Sequence, residues 1–170
     1  QRLIEKHAKA LGLGDIKVNW MTIGSGGTST DSLLAGNLDF VTSGISNMLL
    51  LWSRTGGQVK AVGAVAAVPL LLVTRNPGIK TIADFAEKDK IAVPTVKVSM
   101  QSTILGIAAY KLYGEAGRGK YDPFTVAMSH PDATVALMSG AGEVNSHFSV
   151  PPYQNVALKS PGVHTVLDSA

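Results

Sequence analysis

Apolar residues recur at helical spacing at the start of the chain, at Leu3, Ile4, Ala8 and Leu11, with charged residues between them. This spacing predicts a first helix, ended by Gly12 and Gly14 where the chain must leave the right-handed region. The stretch 16–23, IKVNWMTI, alternates apolar and polar positions and predicts a half-buried strand. A short helix in STDSLLAG, closed by Gly36, a strand over 38–44, a helix over 45–54 and a strand over 59–66 follow. Trp20, in the first strand, and Trp52, on the face of the 45–54 helix with Leu49, are expected in the core.

The alternation resumes after Pro69. Strands are predicted at 69–76, 89–94, 124–129, 143–149 and 162–169. Between them lie a turn at Asn76-Pro77-Gly78 and a near capping box at Thr81 and Asp84. The strongest helical pattern is 99–114, capped by Ser99 and closed by Gly114, with Ile104, Ile107, Ala108 and Leu112 expected along one buried face. Helices are also predicted at 131–140, with Pro131 in the first turn, and at 151–159. A helix followed by repeated strand–helix units predicts an α/β fold with mostly parallel sheets flanked by helices. The pattern shifts near 68–76, which divides the chain into a first lobe, 1–70, a second lobe, 71–165, and a crossing back towards the first lobe that starts at 166–170. Three strands make a thin first sheet, and the chain opens within a helical pattern without an initiating Met. It therefore reads as an internal stretch of a longer protein, with any targeting segment upstream.

Composition narrows the function. With 45% hydrophobic and 16% charged residues the chain is a globular one with ample core. The net charge of +3 is spread over scattered lysines and does not interleave with aromatics, so no nucleic-acid partner is expected. Absence of cysteine excludes disulfides, thiolate metal sites and a thiol nucleophile. The four histidines show no metal-ligand spacing, no Gly-x-Ser-x-Gly is present and no carboxylate pair stands out. No catalytic residue, metal or cofactor is expected.

The most polar loop is TIGSGGTST, 22–30. Its spacing is neither Gly-x-Gly-x-x-Gly nor a Walker loop, since no Lys follows the glycines. By itself it reads either as a tight turn with a Ser/Thr cap or as a helix start whose N–H groups meet a polar ligand. Similar junctions recur at Thr42-Ser43-Gly44, at Pro94 to Ser99 and near Ser146-His147. If two lobes face each other, these strand ends line one cleft, where open α/β sheets bind ligands. His147 is read either as facing a ligand or as a satisfied interior group. His130, in SHPDAT, reads as a loop residue or one at a helix start.

The order of motifs resembles the substrate-binding proteins of nitrate/sulfonate/taurine-type ABC transporters, a type II periplasmic-binding-protein fold. The resemblance is carried by LLAGNLDFVTSG, by AVPLLLVTRNPGIKTIADFAEKDKIAVP, by VSMQSTILGIAAYKLYG and by PDATVALMSGAGEVNSHFSVPPYQNVAL, nearly end to end. It implies a monomeric, non-enzymatic protein that captures a small organic anion or polar heterocycle between two lobes and delivers it to a membrane permease. It also implies a periplasmic location, or an extracellular, lipid-anchored one in a Gram-positive source. Matched by position, the implied ligand-binding residues are Gly26, Gly27, Thr28, Ser43, Gly44, Ile45, Ser99, Met100, Gln101 and His147. Two departures stand out. Asn145 and Ser146 replace an Asp-Ala pair common in the family, and His147 replaces a larger ring. No Arg lies near these turns, which suits a monoanion or a neutral polar solute with an apolar body. The alternatives are an enzyme of the thiamine-pyrimidine synthase type, for which Lys97 is the candidate Schiff-base amine, and the effector-sensing domain of a transcriptional regulator.

Overall fold

A computed structural model of the chain describes residues 2–170. Three helices come first, α1 (Leu3–Ala10), α2 (Gly26–Leu34) and α3 (Ile45–Arg54). Then follow β1 (Leu71–Thr74), β2 (Lys90–Val93), α4 (Met100–Tyr113), β3 (Thr125–Ala127), α5 (His130–Ser139), β4 (Val144–Ser149), α6 (Tyr153–Ala157) and β5 (His164–Asp168). Thr81 and Asp84 form the capping box, with both reciprocal bonds in place, and the Thr81 and Lys80 N–H groups hold the Asp84 carboxyl below its usual range.

These five strands form one sheet in the order β3-β2-β4-β1-β5. It is mixed. β2 runs parallel to β3 and β4, whereas β1 runs antiparallel to β4 and β5. The chain enters the sheet at Leu70 and leaves it beside that residue. Leu70 N–H donates to Ser169 Oγ (2.8 Å), and Ser169 N–H donates to the Leu70 carbonyl (3.1 Å).

Strand alternation sends Leu72, Ile91, Val93 and Phe148 to one face, where they pack with Leu105 and Ala109 of α4 and with Tyr121. The opposite face carries Val73 against Leu137 and Ala157, and Ala92 against Ala133. An irregularity between the Lys90–Val144 and Ile91–Ser146 pairs shifts the register at Asn145. Beyond it Phe148 faces α4 and His147 meets α5.

Three expectations need correction. The stretches 16–23, 38–44 and 59–66 form no strand, because none has a partner strand among the described residues to complete a ladder. Their apolar residues lie open, with Trp20 80%, Phe40 77% and Val62 85% exposed, and Trp52 on α3 is also exposed rather than in the core. The buried stripe of α4 is Gln101, Ser102, Leu105 and Ala109, while Ile107 and Leu112 face outward. The helix is apolar nearly all round, so periodicity has little contrast with which to choose its face. Among the described residues no helix is long and apolar enough to cross a membrane.

Candidate functional site

The starts of α2, α3 and α4 meet at one cavity of about 250 Å³. Each is built by local chemistry. Ser25, extended at φ −148°, caps α2: its Oγ accepts from Thr28 N–H (3.2 Å). Ser99 caps α4 in the same way, accepting from Ser102 N–H (3.2 Å). Gly44 precedes α3 and offers no side-chain cap, so the first N–H groups of that helix are left for other acceptors. The cavity lies among these starts, lined by Ser25 and Gly26, by Ser43, Gly44 and Asn47, and by Thr95, Ser99, Met100 and Gln101.

Glycine matters at two of these places. A Cβ on Gly26 would sit 3.1 Å from Asn47 Oδ1, and one on Gly27 would sit 3.2 Å from the Thr95 side chain. Bare backbone there lets α2 close against α3 and against the loop after β2. Ser46 on α3 bonds Thr103 on α4 at 3.0 Å. The helices of the first part of the chain and α4 of the second therefore meet directly around the cavity.

Of the ten residues singled out by the resemblance, six line this cavity: Gly26, Ser43, Gly44, Ser99, Met100 and Gln101. Four do not. Gly27 borders a neighbouring hollow of about 200 Å³, together with Arg54. Thr28 turns back along α2, its hydroxyl 3.0 Å from Ser25 Oγ. Ile45 is 57% exposed, and the cavity is lined instead by Gly44 before it and Asn47 after it. His147 is wholly buried in β4 and lies behind another histidine.

That other histidine is His130, which does line the cavity. Its Nδ1 lies 2.9 Å from His147 Nε2, and its Nε2 lies 3.3 Å from Gln101 Nε2. Tyr153 stacks on its ring, with centroids 5.9 Å apart. Burial pushes His130 down to about 4; burial, and then the neighbouring His130, push His147 down to about 3. Both rings are neutral at neutral pH. Among the described residues His130 is the only titratable side chain on the lining, and no Lys or Arg joins it. Lys97, the amine the enzyme alternative needs, is exposed and off the lining.

Sequence reasoning misses His130 when it is read alone. The signal is its position: Ser129 caps α5, Pro131 follows, and His130 is the first helical residue, as Gly26 and Met100 are in α2 and α4. Asn47 escapes notice because it lies inside the α3 sequence, yet it is 4% exposed and bonds Thr30 Oγ1 at 3.5 Å.

The chain shares its fold with a periplasmic binding protein. The solved structure is that of the periplasmic aliphatic sulphonate binding protein SsuA from Escherichia coli, matched with a TM-score of 0.60 and 22% sequence identity. The match covers 98% of this chain and 53% of SsuA, so the chain spans about half the length of that protein. No family model matches the chain, and no curated protein matches it. At this identity the likeness establishes the α/β binding-protein fold.

Proposed function

We propose that this protein is the solute-binding component of an ABC transporter. It captures a small organic anion or a polar heterocyclic compound between two lobes, 1–70 and 71–165, with the return crossing starting at 166–170, and delivers it to a membrane permease. It acts as a monomer in the periplasm, or outside the cell on a lipid anchor in a Gram-positive source, and carries out no reaction on its solute.

The observation that carries this reading is the cavity where α2, α3 and α4 begin. First-turn N–H groups lack intrahelical partners and favour a negative or acceptor-rich group. Hydroxyls from Ser25 and Ser43 and amides from Asn47 and Gln101 add orienting bonds. A cavity of about 250 Å³ suits a small solute. Without a lysine or arginine on the lining, a strongly held dianion has no counter-charge, which favours a monoanion or a neutral polar compound.

A thermal-shift screen of the full-length protein against small carboxylates, sulfonates and neutral heterocycles tests this. A solute that binds only the folded state raises the melting temperature, through about 2.7 kcal/mol of added stability at a hundredfold excess over Kd. A flat response across the panel would refute it.

A further inference from the structure

The buried His130–His147 pair reaches further than a packing contact. Two hydrogen-bond networks fit the same heavy-atom positions. In the first, the Gln101 amide donates to His130 Nε2, His130 Nδ1–H donates to His147 Nε2, and His147 must carry its proton on Nδ1. His147 Nδ1 is fully buried and has no partner, so this network strands an N–H donor in the interior. In the second, His147 Nε2–H donates to His130 Nδ1, and His130 carries its proton on Nε2, at the cavity. The Gln101 amide, turned by half a rotation, then presents Oε1 to it as a stand-in acceptor, which a solute displaces to take the same hydrogen. This network strands only a lone pair on His147 Nδ1. Buried orphan donors are rarer than under-used acceptors, which favours the second network.

Resting on the solute-binding reading above, we propose that His147 is a positioning residue that fixes His130 as an Nε2–H donor at the cavity wall, making His130 the side chain that selects for a solute bearing a hydrogen-bond acceptor. His147 achieves this from β4, where its ring is enclosed between Val73 of β1 and Ala92 of β2 in the sheet and His130 above. The groups around His130 are His147, Gln101, Tyr153 and, on its own helix, Asp132, whose carboxylate is engaged by Ser129. None is a cation at neutral pH. A solute's acceptor therefore meets a neutral donor beside the helix starts: the donor requires an acceptor, and the first-turn N–H groups add the preference for a negatively charged one.

The test is nitrogen NMR of the histidine rings in the full-length protein at pH 7, with ethanesulfonate as the anionic probe and ethyl methyl sulfone as its neutral counterpart. The sulfonate stays ionised throughout, so any change belongs to the protein. The expected result is an Nε2–H tautomer at both histidines and a His130 response to ethanesulfonate at least tenfold tighter than to the sulfone. His147→Gln, which keeps a donor at the Nε2 position, retains the His130 tautomer; His147→Met releases it to a mixture. An Nδ1–H tautomer at His130 overturns the proposal, as does an unchanged tautomer in His147→Met. Binding of ethanesulfonate seen by thermal shift without any His130 response overturns it while leaving the transport reading intact. Silence of every solute in the screen described above overturns both.

Discussion

Ser46 Oγ on α3 and Thr103 Oγ1 on α4 lie 3.0 Å apart, a hydrogen bond that spans 57 positions of chain. The helices it joins begin at the cavity, so the bond fixes their separation where the lining is made. Removing one hydroxyl, as in Ser46→Ala or Thr103→Val, is expected to cost about 0.5–1.5 kcal/mol, with the double variant costing less than the sum. Urea denaturation of the four proteins in the cycle measures this. Strict additivity would show that the two hydroxyls are bonded to water instead.

The histidine pair makes stability depend on pH. Folded, His130 and His147 titrate at about 4 and about 3, against 6.5 unfolded. Between those limits the unfolded chain binds more protons, so stability rises with pH there. It is level above about 6.5, falls as the pH drops below that value, and flattens once the folded rings also take up protons. Each tenfold loss of proton affinity on folding is worth about 1.4 kcal/mol, so the fall is on the order of a few kcal/mol for the wholly buried His147. Chemical denaturation at pH 7, 6, 5 and 4 measures it, and the His147→Met variant is expected to lose a large part of the slope.

Gly26→Ala is expected to disturb the cavity more than its size suggests. The new methyl lies 3.1 Å from Asn47 Oδ1, and Asn47 is buried and tied to Thr30, so it has little room to give. Over-packing of this kind costs about 1–2 kcal/mol. Because Asn47 lines the cavity, capture of the probe should weaken by roughly tenfold, the equivalent of about 1.4 kcal/mol. Unchanged affinity with reduced stability would show that Asn47 does not touch the solute.

The core of the sheet offers a control. Phe148 is fully buried on β4, between β1 and β2 in the sheet, and packs with the α4 cluster. Phe148→Ala is expected to cost about 3–5 kcal/mol through lost burial and a residual cavity. A melt that shifts by only a few degrees would show that the neighbouring residues collapse into the space.

Local chemistry was the most legible part of the sequence. The caps at Ser99 and Gly114, the box at Thr81 and Asp84 and the helix 45–54 depend on residues within a few positions of one another. Pairing was less legible. Alternation in 16–23 and 59–66 fits a strand, but a strand needs a neighbour to accept its ladder, and short-range pattern carries no information about one. The antiparallel placement of β1 between β4 and β5 was hidden for the same reason. Within the site, the three polar helix starts were readable as recurring Ser-Gly and Ser-Met junctions. The placement of His130 on the cavity wall in front of His147 was not, because it follows from a register shift at Asn145 that turns His147 towards α5.

The paired bonds between Leu70 and Ser169 have a consequence for engineering. A segment that leaves within a hydrogen bond of where it enters keeps its two ends adjacent. Its two ends can be tied by a short linker and the chain reopened at an exposed turn such as Ala141-Gly142-Glu143, giving a circular permutant with the same sheet.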